Sequence, residues 1–209
     1  MQPDLIETAT FDISESLTAI TSVLPLSAAD DPRWTGVVTL APSNEYVLPP
    51  LARHDIYVLR GSVDAGSGML GEGGFASLYE AGVLRAGSEG ARLFIYRERA
   101  ASHGETITQH AQQREWRAGQ NPGMRIASLS SSDYPLTLVA WEPGTRTRDH
   151  GHRNGEEILV LSGELRSHDQ RYPAGTWIRL HRGARHEPFT DIPTVIMLRN
   201  GHLDAAPQR

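Results

Sequence analysis

The sequence predicts an all-β protein built from two similar barrels in tandem. Three observations predict it: short apolar runs bounded by turn formers, no long segment with sustained helical periodicity, and an internal repeat. The chain has 209 residues, of which 20 are Gly and 13 are Pro. This length suits one large domain or two small ones, and the scattered Gly and Pro separate many short strands.

Eight runs are predicted to be strands because they are rich in Val, Ile, Leu, Tyr and Trp and lie between turn formers. In chain order they are WTGVVTL (34–40), DIYVLRGSV (55–63), RLFIYRER (92–99), MRIASL (124–129), LTLVAWEP (136–143), EEILVLSGEL (156–165), GTWIRL (175–180) and TVIMLR (194–199). Many short strands with frequent turn signals are typical of an all-β sandwich or barrel.

Two segments of the first half of the chain resemble segments of the second half. The segment 54–63, HDIYVLRGSV, resembles 156–165, EEILVLSGEL, at an offset of 102 residues. The segment 73–82, GGFASLYEAG, resembles 174–183, AGTWIRLHRG, at an offset of 101. A nearly constant offset indicates two similar domains, predicted as residues 1–105 and 106–209, with the polar stretch 97–120 as the linker between them.

Composition excludes several classes of function. The net charge is -5 and no block of like charge occurs, so neither nucleic acid nor an anionic membrane surface is an expected partner. No apolar run is long enough for a transmembrane helix, and the acidic N-terminus lacks the pattern of a secretion signal. A cytoplasmic protein is therefore expected.

The choice of basic and sulfur-containing residues narrows the chemistry further. The chain has no Cys, which excludes disulfides and thiolate catalysis, and all 20 of its basic residues are Arg. The absence of Lys excludes Schiff-base catalysis and a P-loop lysine. No G-x-S-x-G sequence is present, so a bound metal becomes the more plausible source of chemistry.

The residues best suited to hold a metal begin with two closely spaced histidines. His150 and His152 are two residues apart, so on a strand both side chains face the same way. Glu156 follows an Asn-Gly pair that favours a tight hairpin turn, which would fold its carboxylate back beside the imidazoles. A neighbouring strand would deliver His186, and these four side chains predict a site for one divalent ion.

The spacing of these residues resembles the two signature motifs of the cupin superfamily. The first motif is matched by Gly144, His150, His152, Glu156 and Gly163, and the second by Gly175, Gly183 and His186. His181 stands where the second motif usually has Pro, and Thr190 where it usually has Asn; neither position is a metal ligand in the family. The cupin resemblance covers residues 124–200 most strongly. Within the superfamily, the segments 152–165 and 172–188 are similar to the C-terminal cupin of the anti-sigma factor ChrR, and to acetylacetone-cleaving and dihydroxyacetophenone dioxygenases.

The resemblance implies two cupin barrels of the double-stranded β-helix, or jelly-roll, type. The C-terminal barrel would hold one divalent ion on three His and one Glu, and this ligand set does not select among Zn, Fe, Mn and Ni. No catalytic residue is assigned. The residues expected to line the pocket are Trp141, Trp177, Arg179 and His181.

Three functions stay open. The first is an enzyme, a dioxygenase or hydrolase that acts on a small carbonyl compound, and it is the leading expectation. The second is a ChrR-related sensor of the oxidative-stress response that binds metal without turnover. In ChrR the sigma-binding part is a separate domain with His and Cys zinc ligands; here the first repeat takes that place and Cys is absent, so that mechanism is not expected. The third is a metal-stabilised scaffold.

The first repeat lacks the ligand set. The offset places Leu48, Pro50 and His54 opposite the first three ligands, and Arg85 opposite the fourth. Because Leu and Pro cannot bind a metal, the N-terminal cupin is predicted to hold none. Its expected role is structural, either covering apolar strand faces of the other barrel or building a homodimer.

The remaining histidines have simpler expected roles. His103, His110 and His202 are expected to be solvated in the linker or the tail, and His168 to lie at a hairpin tip. Glu157 adjoins Glu156 but faces the other side of the strand, where an outer ion pair with an Arg is expected.

Overall fold

The structure is a computed structural model that describes residues 5–17, 20–79, 81–99, 105–130 and 134–203. Its strands are β1 Ile6–Thr10, β2 Ser22–Pro25, β3 Arg33–Leu40, β4 Glu45–Val47, β5 Ala52–Asp64, β6 Met69–Gly71, β7 Phe75–Leu78, β8 Val83–Arg99, β9 Ile107–Gln109, β10 Arg117–Ala118, β11 Met124–Ser128, β12 Leu136–Trp141, β13 His150–Gly151, β14 Glu156–Ser162, β15 Glu164–Ser167, β16 Gln170–Pro173, β17 Thr176–Leu180, β18 Arg185–His186, β19 Pro188–Phe189 and β20 Thr194–Asn200. The described residues contain no α-helix, and a short 3-10 helix spans Ala111–Gln113. A helix that could cross a membrane is therefore not found within these ranges.

The described residues divide into two compact units. The N-terminal unit comprises residues 14–114, and the C-terminal unit comprises residues 5–13 and 115–203. The sequence predicted contiguous domains that meet between residues 105 and 106. In the structure, β1 from the beginning of the chain pairs antiparallel with β17 of the C-terminal unit.

The N-terminal unit is one antiparallel eight-stranded sheet with the order β2-β3-β8-β5-β7-β9, in which β4 also pairs with β8 and β6 with β5. The pairing of β5 with β8 shifts register between Val58 and Arg60 and between Gly61 and Val63. Such bulges increase the twist of long strands and let the sheet curve around a core. Fully buried members of that core are Val38, Leu40, Leu48, Ile56, Leu84 and Leu93.

The C-terminal unit has one large and two small sheets. The large sheet has seven strands in the order β1-β17-β14-β20-β12-β11-β10, and the small ones are β13-β18 and β16-β15-β19. Apolar side chains of β12, β14, β17 and β20 form its core, including Val139, Ile158, Ile178 and Ile196. The predicted all-β jelly-roll class is confirmed.

The internal repeat is visible as a shared strand order. In the N-terminal unit the order β3-β8-β5-β7 is found, and in the C-terminal unit the order β12-β20-β14-β17. β5 and β14 carry the first repeated block, and β7 and β17 carry the second. The predicted linker 97–120 is shorter than expected, because β9 within it pairs with β7 and extends the N-terminal sheet.

Candidate metal centre

Strand pairing brings the first and last of the predicted ligands together. β13 and β18 are antiparallel and place His150 directly opposite His186. Side chains in directly opposite positions of a sheet are close enough to interact, and these two rings have centroids 4.5 Å apart. His152, just after β13, lies with its ring centroid 4.9 Å from His150 and 5.0 Å from His186.

A tight turn delivers Glu156 to the same place. Gly155 has a φ of +73°, as the Asn-Gly pair predicted, and Glu156 opens β14 immediately after it. The expected hairpin is wrong, however, because β13 pairs with β18 whereas β14 pairs with β17 and β20. The turn therefore connects two different sheets and carries the chain from one wall of the unit to the other.

Three imidazole nitrogens converge, and a carboxylate oxygen of Glu156 lies beside two of them. His186 Nε2 lies 2.9 Å from His152 Nε2 and 3.1 Å from His150 Nε2. Glu156 Oε2 lies 3.3 Å from His152 Nε2 and 3.6 Å from His186 Nε2. Ligands about 2.1 Å from one ion are about 3.0 Å apart at right angles and about 3.4 Å apart at tetrahedral angles, so these separations fit a shared ion. His150, His152 and His186 form a three-histidine cluster that can hold a metal.

Burial sets the protonation of the cluster. It lowers the pKa of His186 to about 3, with His150, His152 and His168 adding to the effect. Burial also lowers the pKa of His152, again with a contribution from His150. At neutral pH these imidazoles are therefore uncharged and have a lone pair to offer a metal. Burial raises the pKa of the Glu156 carboxyl to about 8, a penalty that a neighbouring cation would offset.

Two of the imidazoles are oriented through their other ring nitrogen. His150 Nδ1 is 2.8 Å from the backbone oxygen of Arg148, and His152 Nδ1 is 3.2 Å from Oδ1 of Asn200. Each Nδ1–H donates to an oxygen, which leaves the Nε2 lone pair directed into the cluster. Asn200 was not predicted from the sequence, because nothing in the linear spacing connects it with His152.

The cluster lies in the wall of a cavity of about 400 Å³. Alternate residues of four strands face this space, as the two-residue period of a strand requires. On these four strands the lining residues are Met124 and Ile126 of β11, Thr137, Val139 and Trp141 of β12, Glu156 and Ile158 of β14, and Ile196, Leu198 and Asn200 of β20. Gln120, Asn121, Thr147, Leu165 and Pro188 complete the lining together with the three histidines.

Of the four residues expected to line the pocket, the structure brings Trp141 to the cavity. Trp177 and Arg179 instead contact Glu157, through bonds of 3.0 Å from the indole Nε1 and 3.1 Å from the Arg179 Nη2. Both side chains lie on the face of the sheet that points away from the cavity residues. His181 is partly exposed and bonds to Glu7.

The contacts of Glu157 correct two expectations. Its ion pair with Arg179 forms, but it is not on the outside, since both side chains are at least 96% buried. The expectation that His202 is solvated in the tail is wrong. His202 is 1% exposed, and its Nε2 lies 2.6 Å from Glu157 Oε2. The chain after β20 folds back, with the Leu203 N–H donating to the Asn154 oxygen, and this return buries His202.

Two of the other histidines lie as expected. His168 is at the tip of the β15–β16 hairpin with a φ of +52°, and His110 is exposed. His103 lies outside the described residues.

The ligand-equivalent positions of the N-terminal unit are occupied differently. Leu48 is fully buried in the core, and Pro50 is exposed. Arg85 is exposed and pairs with Glu45. His54 is 1% exposed, and neither of its ring nitrogens has a hydrogen-bond partner within the part of the chain that the structure describes.

Comparison with known proteins supports the same superfamily. Residues 104–204 match the family model of the ChrR Cupin-like domain. No curated protein matches the sequence. The match supports a cupin assignment for these residues, and the structural neighbours below share the fold.

Three solved structures share the fold at low identity. A candidate dioxygenase from Nostoc punctiforme is 15% identical, with a TM-score of 0.73, over 96% of this chain and 85% of that one. A variant of oxalate decarboxylase from Bacillus subtilis is 13% identical, with a TM-score of 0.69, over 93% and 76%. A cupin 2 conserved barrel domain protein from Leptotrichia buccalis is 13% identical, with a TM-score of 0.65, over 88% and 89%.

Proposed function

We propose that the segment matching the ChrR Cupin-like domain binds one divalent metal and makes this protein a metal-dependent enzyme acting on a small carbonyl compound, by dioxygenase-like or hydrolytic chemistry. The observation that carries the proposal is the convergence of three imidazole nitrogens in a cavity wall, with a carboxylate oxygen beside two of them. His150, His152, Glu156 and His186 would be the ligands. Such a donor set suits Zn, Fe, Mn or Ni, and structural zinc sites more often use several Cys.

When bound, a divalent ion at this position supplies Lewis acidity toward a carbonyl or enolate oxygen, and iron also supplies redox chemistry with dioxygen. The chain's own residues provide the surroundings. Val139, Ile158 and Ile196 give the cavity apolar walls. Glu156, buried beside the imidazoles, would neutralise part of the charge of the ion.

The lining also indicates the kind of substrate. Among the described residues it contains no Arg, and Glu156 is its one carboxylate. A ligand with a single metal-binding head and an uncharged, largely apolar body would fit such walls. Oxalate, which the oxalate decarboxylase is named for, carries a second carboxylate for which this lining supplies no cationic side chain.

The N-terminal unit would have a supporting role. We propose that it holds no metal, because Leu48 and Pro50 offer no ligand atom and Arg85 is engaged with Glu45. A homodimer built through this unit stays a prediction.

The test combines metal content with turnover. Protein purified without added metal is analysed for its ion, and consumption of dioxygen and of a panel of small mono- and dicarbonyl compounds is then measured. Ile196→Phe, which would add bulk to the cavity wall, should lower turnover and keep the metal. Ile192→Phe, the same change at a residue 48% exposed, should leave turnover unchanged.

A sensor is the second candidate, and the ChrR family match favours it. It predicts that the metal-loaded protein binds a small molecule or responds to an oxidant without producing a product. Two results together would favour the sensor. The carbonyl compound would be recovered in the amount added, and it would bind saturably to the wild type but more weakly to Ile196→Phe.

A further inference from the structure

The two oriented histidines of the cluster differ in what orients them. The partner of His150 Nδ1 is the backbone oxygen of Arg148, which the fold fixes whatever the side chain. The partner of His152 Nδ1 is a side-chain oxygen, Asn200 Oδ1 at 3.2 Å. The orientation of His152 therefore depends on the identity of one residue.

The backbone holds Asn200 firmly at this place. It is the last residue of β20 and lies directly opposite Glu156 in the pairing with β14. The next residue, Gly201, donates its N–H to the oxygen of Gly155 at 2.8 Å. The end of β20 is thus tied to the turn that separates His152 from Glu156. The Asn200 side chain itself is exposed at the cavity, so core packing does not require an amide there.

We propose that Asn200 is a positioning residue for the metal: its Oδ1 holds His152 as the tautomer that carries hydrogen on Nδ1. The Nε2 lone pair then points toward His186 Nε2 and Glu156 Oε2, at 2.9 and 3.3 Å. Partners of this kind fix the ring and raise its basicity, and their loss typically weakens metal binding 10–100-fold. This inference rests on the proposed metal site and assigns it a residue that is not itself a ligand.

Two substitutions of Asn200 test the role in opposite directions. Asn200→Asp keeps the acceptor and adds charge, so it should bind Zn²⁺ several-fold more tightly. Asn200→Leu removes the acceptor and should bind Zn²⁺ roughly 10-fold or more weakly. Dissociation constants are measured by competition with a chelator. Asn121→Leu is the matched control, since Asn121 also lines the cavity while its amide contacts Met124 and no histidine, and it should bind as the wild type does.

A second readout does not depend on metal. In ¹⁵N NMR spectra of the metal-free protein, the fraction of His152 with hydrogen on Nδ1 should fall in Asn200→Leu and stay high in Asn200→Asp. The role of Asn200 is overturned if Asn200→Leu keeps the wild-type tautomer and affinity, or if both variants weaken binding equally. Failure of the wild-type protein to bind Zn²⁺ would instead overturn the proposed metal site, and this inference with it.

Discussion

Glu156 and Glu157 are neighbours in β14 whose carboxylates serve opposite faces of one sheet. Glu156 Oε2 lies 3.3 Å from His152 Nε2 in the cavity wall, whereas Glu157 Oε1 lies 3.1 Å from Arg179 Nη2 in a separate buried cluster. Because side chains alternate along a strand, one dipeptide supplies both a candidate ligand and a buried ion pair.

Loss of the Glu157 carboxylate should destabilise the C-terminal unit. Glu157→Leu would leave the Arg179 guanidinium buried without its carboxylate, at a cost of about 3–5 kcal/mol in the free energy of unfolding. Glu164→Leu is the control, because Glu164 pairs with a largely exposed Arg171 and its loss should cost about 1 kcal/mol or less. Urea unfolding of the two variants measures both, and equal costs would contradict the prediction.

Metal binding should depend on the histidines of the cavity and not on the other histidines. The wild type is expected to retain about one divalent ion per chain, and His150→Ala, His152→Ala together should remove it, since a single imidazole and a carboxylate remain. The matched double variant His110→Ala, His181→Ala changes two histidines outside the cluster and should keep the ion. Elemental analysis of the purified proteins decides, and full occupancy in the first variant would refute the ligand assignment.

Removal of the metal should leave most β-structure intact. Each unit has an apolar core of its own, and the strands carry their hydrogen bonds without an ion. A chelator should lower the free energy of unfolding of the C-terminal unit only by the contribution of metal binding, about 2.7 kcal/mol for an ion at 100 times its Kd, and the melting temperature should fall accordingly. Circular dichroism with and without chelator checks this. Loss of the β signal at room temperature would make the site structural.

Acid should weaken the N-terminal unit through His54. Burial, helped by the positive charge of Arg97 and opposed by Asp55, lowers the pKa of this imidazole from 6.5 to about 4. The unfolded chain therefore takes up a proton that the folded one resists, so stability is complete above pH 6.5 and is lost as the pH falls toward 4. The free energy of unfolding should fall by about 3 kcal/mol across this range.

His54→Leu should remove this dependence. Unfolding free energies at neutral pH and at the acid end of the window are compared for the wild type, for His54→Leu and for the exposed-site control His110→Ala. The control should keep the wild-type slope. An unchanged slope in His54→Leu would show that other groups carry the acid sensitivity.

Two glycines of the first cupin motif should differ in their tolerance of alanine. Both have positive φ, +80° at Gly144 and +75° at Gly163, so each substitution costs about 1–2 kcal/mol in backbone strain. A Cβ on Gly144 would meet open space, whereas one on Gly163 would lie 2.3 Å from the oxygen of Pro193. Gly163→Ala should therefore lower the melting temperature clearly more than Gly144→Ala, and equal shifts would contradict this.

The sequence predicted the fold class and the pair His150 and His152 because both follow from local spacing, and it predicted His186 because that residue matches the second cupin motif. Apolar runs, the repeat and the two-residue step from His150 to His152 can be seen in the chain itself. What escaped prediction depends on contacts between distant strands. Asn200 meets His152 only through the pairing of β20 with β14, and His202 is buried by a chain return after β20. Arg179 and Trp177 were assigned to the pocket because alternation leaves open which face of a strand points inward.

The pairing of β1 with β17 has a consequence for biosynthesis. Thr10 and Thr176, which pair at one end of this ladder, are 166 residues apart in sequence. The N-terminal unit is continuous and can fold while the ribosome is still adding residues, but β1 must wait until almost the whole C-terminal unit has emerged. Closing so long a loop is slow, and until then the edge of β17 is open to pairing with another chain. Mistimed synthesis would therefore favour exchange of β1 between two nascent copies.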